Sequence, residues 1–152
     1  TLKDWKSAGR VRYVGITTSH GRREEALAAA MRRERFDFVQ FTYSPADRDS
    51  ERRLLPLARE RGAAVLVNRP FDGGGLLESL KGKPLPGWAR EIGCEGWPAA
   101  VLKWIVSHPA VTCAIPATSN PAHMRENMAA LAGPMPDDAL RRRMAADLER
   151  LL

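Results

Sequence analysis

Four groups of polar residues in this sequence have the types and positions needed to bind a polar, anionic ligand. Each group follows a short apolar run and supplies hydroxyl, amide, guanidinium or imidazole side chains; the groups occupy residues 17–20, 40–44, 68–71 and 116–120. The fourth group also precedes a predicted helix, whose first N–H groups and dipole favour an anion. It therefore predicts either a phosphate site or a simple cap, in which Thr118 to Asn120 satisfy the first N–H groups of the helix.

The apolar runs before these groups have the length and composition of β-strands. They are bounded by Gly, Pro, Ser or Asn and cover residues 11–17, 36–42, 63–67 and 111–115. Amphipathic helix patterns follow the strands at residues 22–33, 50–61, 98–106, 121–131 and 137–151. Pro56 moves the expected start of the second helix to residue 54 or 55. The Gly- and Pro-rich residues 70–97 predict a long loop.

Alternation of strands and helices predicts an α/β fold with a parallel sheet and right-handed crossovers. In such folds the ligand-binding residues lie at the C-terminal ends of the strands, where the four polar groups are. The 152 residues suffice for one domain with a core, whereas a closed (β/α)8 barrel needs roughly 250 residues. Because residues 1–9 have the pattern of a helix end, we expect the chain to be the second half of a larger protein.

The composition excludes some classes of function and leaves others open. A net charge of +6 with paired arginines suggests nucleic-acid binding, but acidic residues alternate with those arginines, which favours solvent-exposed helix faces. We therefore expect no nucleic-acid partner. Cys94 and Cys113 lack the spacing of a metal or redox site, so we expect two free thiols and no metal.

Targeting features are also absent from the sequence. No apolar run approaches the roughly 20 residues that span a bilayer, and no signal peptide is visible, so we expect no membrane partner and a cytoplasmic location. The abundance of Arg and Ala is typical of a GC-rich bacterial genome.

Several segments, in order along the chain, resemble the aldo-keto reductase family. GRVRYVGITTS at residues 9–19 resembles the fifth-strand pattern GKIRYIGVSN of that family, and FVQFTYS at residues 38–44 resembles its sixth strand. LLPLARERG at residues 54–62 and the glycines 73–75 resemble the helix and glycine-rich loop around the seventh strand. AVLKWIVSHP at residues 100–109, AIPATSNP at 114–121 and Glu126-Asn127 resemble the last helix, strand and cofactor clamp.

This resemblance implies a TIM (β/α)8 barrel, of which the chain covers about the last four βα units and a C-terminal helix. Residues 1–152 would then be a single-domain fragment, the C-terminal half of the barrel. The implied activity is the NADP(H)- or NAD(H)-dependent reduction of aldehydes and ketones, small carbonyl compounds being the substrate.

The resemblance also implies roles for individual residues. Thr17, Thr18 and Gln40 fall where the family hydrogen-bonds the nicotinamide carboxamide, and Asn68 falls where many members stack an aromatic ring on the nicotinamide. Further positions match the pyrophosphate and adenosine contacts: Arg69, Phe71, Thr118, Ser119, His123, Glu126 and Asn127. NADP is the expected cofactor, and NAD is the alternative because Ala117 and His123 replace the Lys and Arg that often bind the 2′-phosphate.

No catalytic residue is assigned in this chain. The resemblance implies an Asp, a Tyr, a Lys and a His that all lie upstream of Thr1, so the isolated chain is expected to be inactive. Tyr43 and His20 follow strands but match none of the four. The alternative function is a non-catalytic half-barrel that binds another half-barrel or itself, because an open half-barrel exposes two edge strands and an apolar flank.

Overall fold

A computed structural model describes residues 1–19 and 23–152 of the chain. In these ranges the helices are α1 (Leu2–Ser7), α2 (Glu24–Arg33), α3 (Leu54–Arg61), α4 (Gly75–Leu80), α5 (Trp88–Glu91), α6 (Trp97–Val106), α7 (Pro121–Ala129) and α8 (Asp138–Leu151). The strands are β1 (Gly15–Thr17), β2 (Phe38–Thr42), β3 (Ala64–Asn68) and β4 (Cys113–Ala114).

The four strands form one parallel sheet in the order β1-β2-β3-β4. The register places Thr17 beside Gln40 and Gln40 beside Leu66, and it pairs Thr42 with Asn68. The predicted α/β fold with a parallel sheet is therefore confirmed, and the C-terminal ends of all four strands lie at one edge of the sheet.

The two faces of the sheet are buried to different extents. Side chains alternate between the faces along a strand, so Val39, Phe41, Val65 and Val67 point to one side, where they are fully buried in the apolar core with the helices. The opposite face, which we call the open face, carries Thr17, Gln40, Leu66 and Cys113 in register. On that face Thr17 and Cys113 are exposed.

Local signals set the helix boundaries. The α3 helix ends at Gly62, which has φ +67° and lacks the Cβ that penalises this conformation. Asn120 caps α7 by accepting a hydrogen bond from the Ala122 N–H at 2.9 Å, and Asp137 caps α8 through the Leu140 N–H at 2.8 Å. These caps are the side-chain types that the free N–H groups of a helix start require.

The structure corrects two predictions of secondary structure. The first and last strands are shorter than predicted, because each lies at an edge and pairs with one neighbour. Residues 70–97 are not a continuous loop but contain α4 and α5, which bury Leu76, Leu80 and Trp88 in the core. The indole Nε1 of Trp88 donates a hydrogen bond to Asp147 at 2.8 Å, which fastens this segment to α8.

Candidate functional site

A cleft of about 530 Å³ lies between the segment that follows β3 and helix α7. This volume is typical of small-molecule sites. The lining combines apolar walls with a few polar groups and consists of Arg69, Pro70, Phe71, Gly73, Gly74, Leu77, Pro98, Ile115, Pro116, Ala117, Thr118, His123, Glu126 and Asn127. We refer to this space as the cleft.

Arg69 enters the cleft directly from the end of β3 in a strained conformation. Its φ is +48°, a left-handed value that costs a residue with a Cβ on the order of 1–3 kcal/mol. Its Nη2 donates to Asp72 at 2.9 Å, whereas its Nε is buried and has no hydrogen-bond partner among the described residues. A buried donor without an acceptor is costly. The guanidinium of Arg69 is also a cation in the wall of the cleft, where it can pair with an anion.

Gly73 allows this placement of the guanidinium. A Cβ at Gly73, which has φ +64°, would come within 3.2 Å of the Arg69 Nη2. A larger residue would therefore both strain the backbone and press on the cation. The position of the Arg69 side chain therefore favours glycine at residue 73.

The loop before α7 and one face of that helix form the opposite wall of the cleft. Thr118 lines the cleft, and its Oγ1 accepts a hydrogen bond from the Asn120 N–H at 3.1 Å. Because Asn120 caps α7, the capping interpretation holds for Asn120. Helix α7 lines the cleft through His123, Glu126 and Asn127, whose spacing places them on one helical face.

These three residues of α7 differ in exposure. Asn127 is 8% exposed, whereas His123 and Glu126 are exposed. A buried carboxamide at the wall of a cleft provides fixed donors and an acceptor. Asn127 is therefore the polar group of α7 best placed to orient a ligand.

A second group of polar residues lies at the C-terminal edge of the sheet. The Asn68 Oδ1 accepts a hydrogen bond from the Thr42 Oγ1 at 2.9 Å, and its Nδ2 donates to the Thr18 carbonyl at 2.8 Å. The Thr18 N–H donates to the Gln40 carbonyl at 2.9 Å. We call Thr18, Gln40, Thr42 and Asn68 the sheet-end cluster.

The predicted site residues thus fall into two adjacent groups and one outlier. Those that line the cleft are Arg69, Phe71, Thr118, His123, Glu126 and Asn127. Thr17, Thr18, Gln40 and Asn68 lie at the end of the sheet, and Ser119 is exposed and does not line the cleft. His20 lies outside the described residues.

Sequence reasoning missed two features of this site. The apolar cleft walls formed by Leu77, Pro98 and Ile115 are distant in sequence, and no pattern signals that they meet. Thr42 belonged to the predicted polar group at residues 40–44 but was given no individual role, although it lies two residues beyond Gln40 on the same face of β2.

Tyr43 does not belong to the cleft or to the sheet-end cluster. Its side chain is fully buried, its hydroxyl donates to the Glu51 Oε1 at 2.5 Å, and it accepts from the Arg141 Nη2 at 2.9 Å. Burial raises the pKa of Tyr43 well above its usual value, and the hydrogen bond to Glu51 raises the pKa further. A tyrosine in this setting holds its proton and is structural.

Two further observations concern residues 1–19 and 23–152 as a whole. No group of three or more His, Cys, Asp or Glu side chains is arranged to hold a metal ion in these ranges. None of the helices formed there has both the length and the apolar character that a membrane span requires.

Comparison with known proteins relates the chain to one family. The family model described as "Aldo/keto reductase family" matches residues 1–147. An Escherichia coli (strain K12) protein named NADH-specific methylglyoxal reductase is 29% identical over 176 residues, which cover 98% of this chain and 53% of that protein.

Solved structures share the fold at lower sequence identity. The holo form of an aldo-keto reductase from Bacillus halodurans has a TM-score of 0.73 at 23% identity, over 96% of this chain and 53% of that one. A thermostable aldo-keto reductase in complex with the inhibitor epalrestat has a TM-score of 0.69 at 22% identity, over 99% of this chain and 52% of that one. The chain spans about half the length of the relatives it matches.

Proposed function

Since the chain belongs to the aldo/keto reductase family, we propose that it forms the cofactor-binding half of a reductase that converts aldehydes or ketones to alcohols with NADH or NADPH. The cofactor would supply the hydride when bound. The described residues of this chain would bind and orient the dinucleotide.

The Arg69 side chain, whose Nε is buried and has no hydrogen-bond partner among the described residues, carries this proposal. Arg69 lines a cleft of about 530 Å³ whose other wall is formed by the loop before α7 and by one face of that helix. A guanidinium and a helix N-terminus together suit a pyrophosphate or phosphate group. Under this proposal Thr118 would border the phosphates and Asn127 would orient the adenosine end.

We propose that the cofactor is NADH rather than the NADP predicted from the sequence. A 2′-phosphate adds negative charge that needs a cation, and Arg69 is the permanently charged cation in the described lining of the cleft. That guanidinium is already paired with Asp72. Glu126 lines the same cleft and would repel a 2′-phosphate, and the relative from Escherichia coli is named as NADH-specific.

We propose that proton transfer to the carbonyl oxygen comes from a segment other than this chain. The described lining of the cleft contains neither Tyr nor Lys, and Tyr43 is held on the far side of the sheet by Glu51 and Arg141. The isolated chain should bind the dinucleotide and reduce no carbonyl substrate. The cytoplasmic location stays a prediction.

The surface of the chain supports a second half-barrel as its partner. A folded monomer of 16.8 kDa exposes roughly 7,700 Å², whereas this chain exposes 9149 Å², about 1,500 Å² more. A groove of about 550 Å³ runs beside β4. We call it the edge groove; its lining includes Ile115, Met124, Met128, Leu131 and Met135, which are each more than two-fifths exposed.

The alternative, a non-catalytic module that binds a copy of itself, rests on the same groove. Both readings place a partner over the open face and the edges of the sheet. Reductase activity on adding the missing half in trans would separate them, because a self-associating module would gain no activity.

The proposal is tested by titrating the purified chain with NADH and with NADPH and following nucleotide fluorescence. We expect saturable binding, tighter for NADH, that is weakened at least about tenfold by Asn127→Ala because a buried carboxamide contact is lost. Met128→Ala is the matched control, since Met128 lies next on α7 but lines the edge groove and not the cleft. A folded chain that binds neither nucleotide, or an Asn127→Ala variant that binds as tightly as the control, would contradict the proposal.

A further inference from the structure

We propose that Asn68 is a positioning residue that fixes the exit of β1 and thereby shapes the subsite for the nicotinamide end of the dinucleotide. This inference rests on the proposed function. It gives Asn68 a role that differs from stacking on the cofactor, which the resemblance assigned to this position.

Both ends of the Asn68 carboxamide are committed to protein partners. The side chain is 9% exposed, its Oδ1 accepts from the Thr42 Oγ1 on β2, and its Nδ2 donates to the carbonyl of Thr18. A carboxamide used in this way holds three strand ends together.

The contact with Asn68 fixes the backbone of Thr18. β1 ends at Thr17, so Thr18 lies beyond the ladder of the sheet. Its N–H donates to the Gln40 carbonyl and its C=O accepts from Asn68, so both polar groups of its backbone are fixed. Thr17 and Gln40 lie side by side in the register, and their relative position depends on this anchor.

The sheet-end cluster is continuous with the cleft. Asn68 is the last residue of β3, and the next residue, Arg69, turns into the cleft with φ +48°. A ligand whose phosphates lie at Arg69 would therefore extend toward Thr17, Thr18 and Gln40. Amide and hydroxyl groups there match a carboxamide, which both donates and accepts hydrogen bonds.

The test compares two ligands, NADH and ADP-ribose, which lacks the nicotinamide ring. Asn68→Leu keeps the volume of the side chain but removes both hydrogen bonds. We expect it to weaken NADH binding about tenfold, as loss of one to two buried hydrogen bonds implies, and to change ADP-ribose binding by less than about twofold. Asn127→Ala is the matched control and should weaken both ligands equally.

A second variant addresses the same contact from the other side. Thr42→Val removes the donor to Asn68 and should produce the same selective loss for NADH, and the double variant Thr42→Val/Asn68→Leu should be no weaker than Asn68→Leu alone. The single variant Thr42→Val still decides the question if Asn68→Leu does not fold.

The possible failures are distinguishable. If Asn68→Leu weakens NADH and ADP-ribose binding equally, Asn68 has a general structural role, and if NADH binding is unchanged, Asn68 has no role. Either result overturns the inference. The proposed function still stands in both cases as long as the wild-type chain binds ADP-ribose. A folded wild-type chain that binds neither ligand overturns the proposed function, and this inference with it.

Discussion

Lys103 is a charged residue that the fold uses as a structural link. Its side chain is fully buried, and its ammonium donates to the carbonyls of Ile92 at 2.7 Å and Pro134 at 2.9 Å, and to that of Ala132. It thereby joins the residue after α5 to the connection between α7 and α8. Three carbonyl acceptors satisfy all three donors of the ammonium.

Replacing Lys103 with Met should destabilise the chain strongly. The substitution keeps most of the apolar stem but leaves three carbonyls without this donor, and each unsatisfied buried group costs roughly 1–3 kcal/mol. We expect the free energy of unfolding in urea to fall by about 3 kcal/mol or more. Lys81→Met is the control: Lys81 is exposed and pairs with Glu78, so a loss below about 1 kcal/mol is expected. If both variants lose the same free energy of unfolding, the buried ammonium of Lys103 does not stabilise the contact between these segments.

We expect His108 to make the stability of the chain depend on pH. Its Nδ1 accepts a hydrogen bond from the Ala110 N–H, and its ring packs edge-on against Tyr43 at 5.7 Å. Burial lowers the pKa of His108, and the positive charge of Arg141 lowers the pKa further, against smaller opposing effects of Glu51 and Asp138. The folded chain therefore favours the neutral imidazole.

The sign of the pH effect follows from this lowered pKa. The contribution of His108 is fully present above the pKa of an unfolded histidine, about 6.5, and is lost as the pH falls through the lower pKa of the folded state. We expect the urea midpoint of the wild type to decrease from pH 7.5 toward pH 5, and the His108→Gln variant to decrease less over the same range. An equal slope in the two proteins would assign the pH dependence to other groups.

At the scale of elements, the side chain of Arg141 links α8 to two other parts of the fold. The Arg141 guanidinium donates to the Ser107 Oγ at 2.7 Å and to the Tyr43 hydroxyl at 2.9 Å. It also stacks on the Trp104 ring at 4.5 Å, and the Trp104 indole donates to the Arg141 carbonyl at 2.9 Å. The mostly buried cation of Arg141 therefore connects α8 to α6 and to the residue after β2, in addition to the link between Trp88 and Asp147.

Replacing Arg141 should increase the local opening of α8 more than that of the sheet. We expect Arg141→Met to lower the free energy of unfolding by about 2–4 kcal/mol, because Glu51 and the Tyr43 hydroxyl lose a buried charged partner. Hydrogen exchange should accelerate in α8 more than in β2 or β3. Arg142→Met changes the same residue type one position along, where the side chain is exposed, and it should leave both measurements almost unchanged. Uniform acceleration across the sheet and α8 would contradict a local role for Arg141.

At the scale of the whole molecule, the arrangement of apolar surface predicts association. Leu131 is 62% exposed and Met128 is 54% exposed, and both line the edge groove. An excess of about 1,500 Å² over a compact monomer is comparable to one side of a large protein interface. Such a surface is usually covered by a partner.

A double substitution in the edge groove should reduce this association. We expect sedimentation velocity to show that the wild-type chain forms dimers or larger species at micromolar concentration, and that Met128→Glu/Leu131→Glu shifts the population toward the monomer by at least about tenfold in dissociation constant. Arg150→Glu is the control: it introduces the same acidic residue on α8, outside the edge groove, and it should leave the dissociation constant unchanged. A wild-type chain that is monomeric over this range would contradict self-association and favour a partner of different sequence.

The sequence by itself determined the features that depend on neighbouring residues. The order of strands and helices, the stop at Gly62, the cap at Asn120 and the polar residues after each strand all follow from local patterns, since helix caps and strand periodicity act within a few positions of the chain. The family resemblance was likewise carried by contiguous segments, and it identified the residues that the fold brings to the cleft and to the sheet end.

Only the tertiary structure decided which of these residues line the cleft and which are held by other protein groups. The bonds from Asn68 to Thr18, from Lys103 to Pro134 and from Arg141 to Tyr43 join residues 50, 31 and 98 positions apart. No local pattern encodes such pairs, because the polar groups of each side chain are satisfied by whatever the fold places beside them. Packing thus committed both ends of the Asn68 carboxamide to Thr42 and Thr18 and placed Tyr43 in the core. It also left the Nε of Arg69 buried without a hydrogen-bond partner among the described residues.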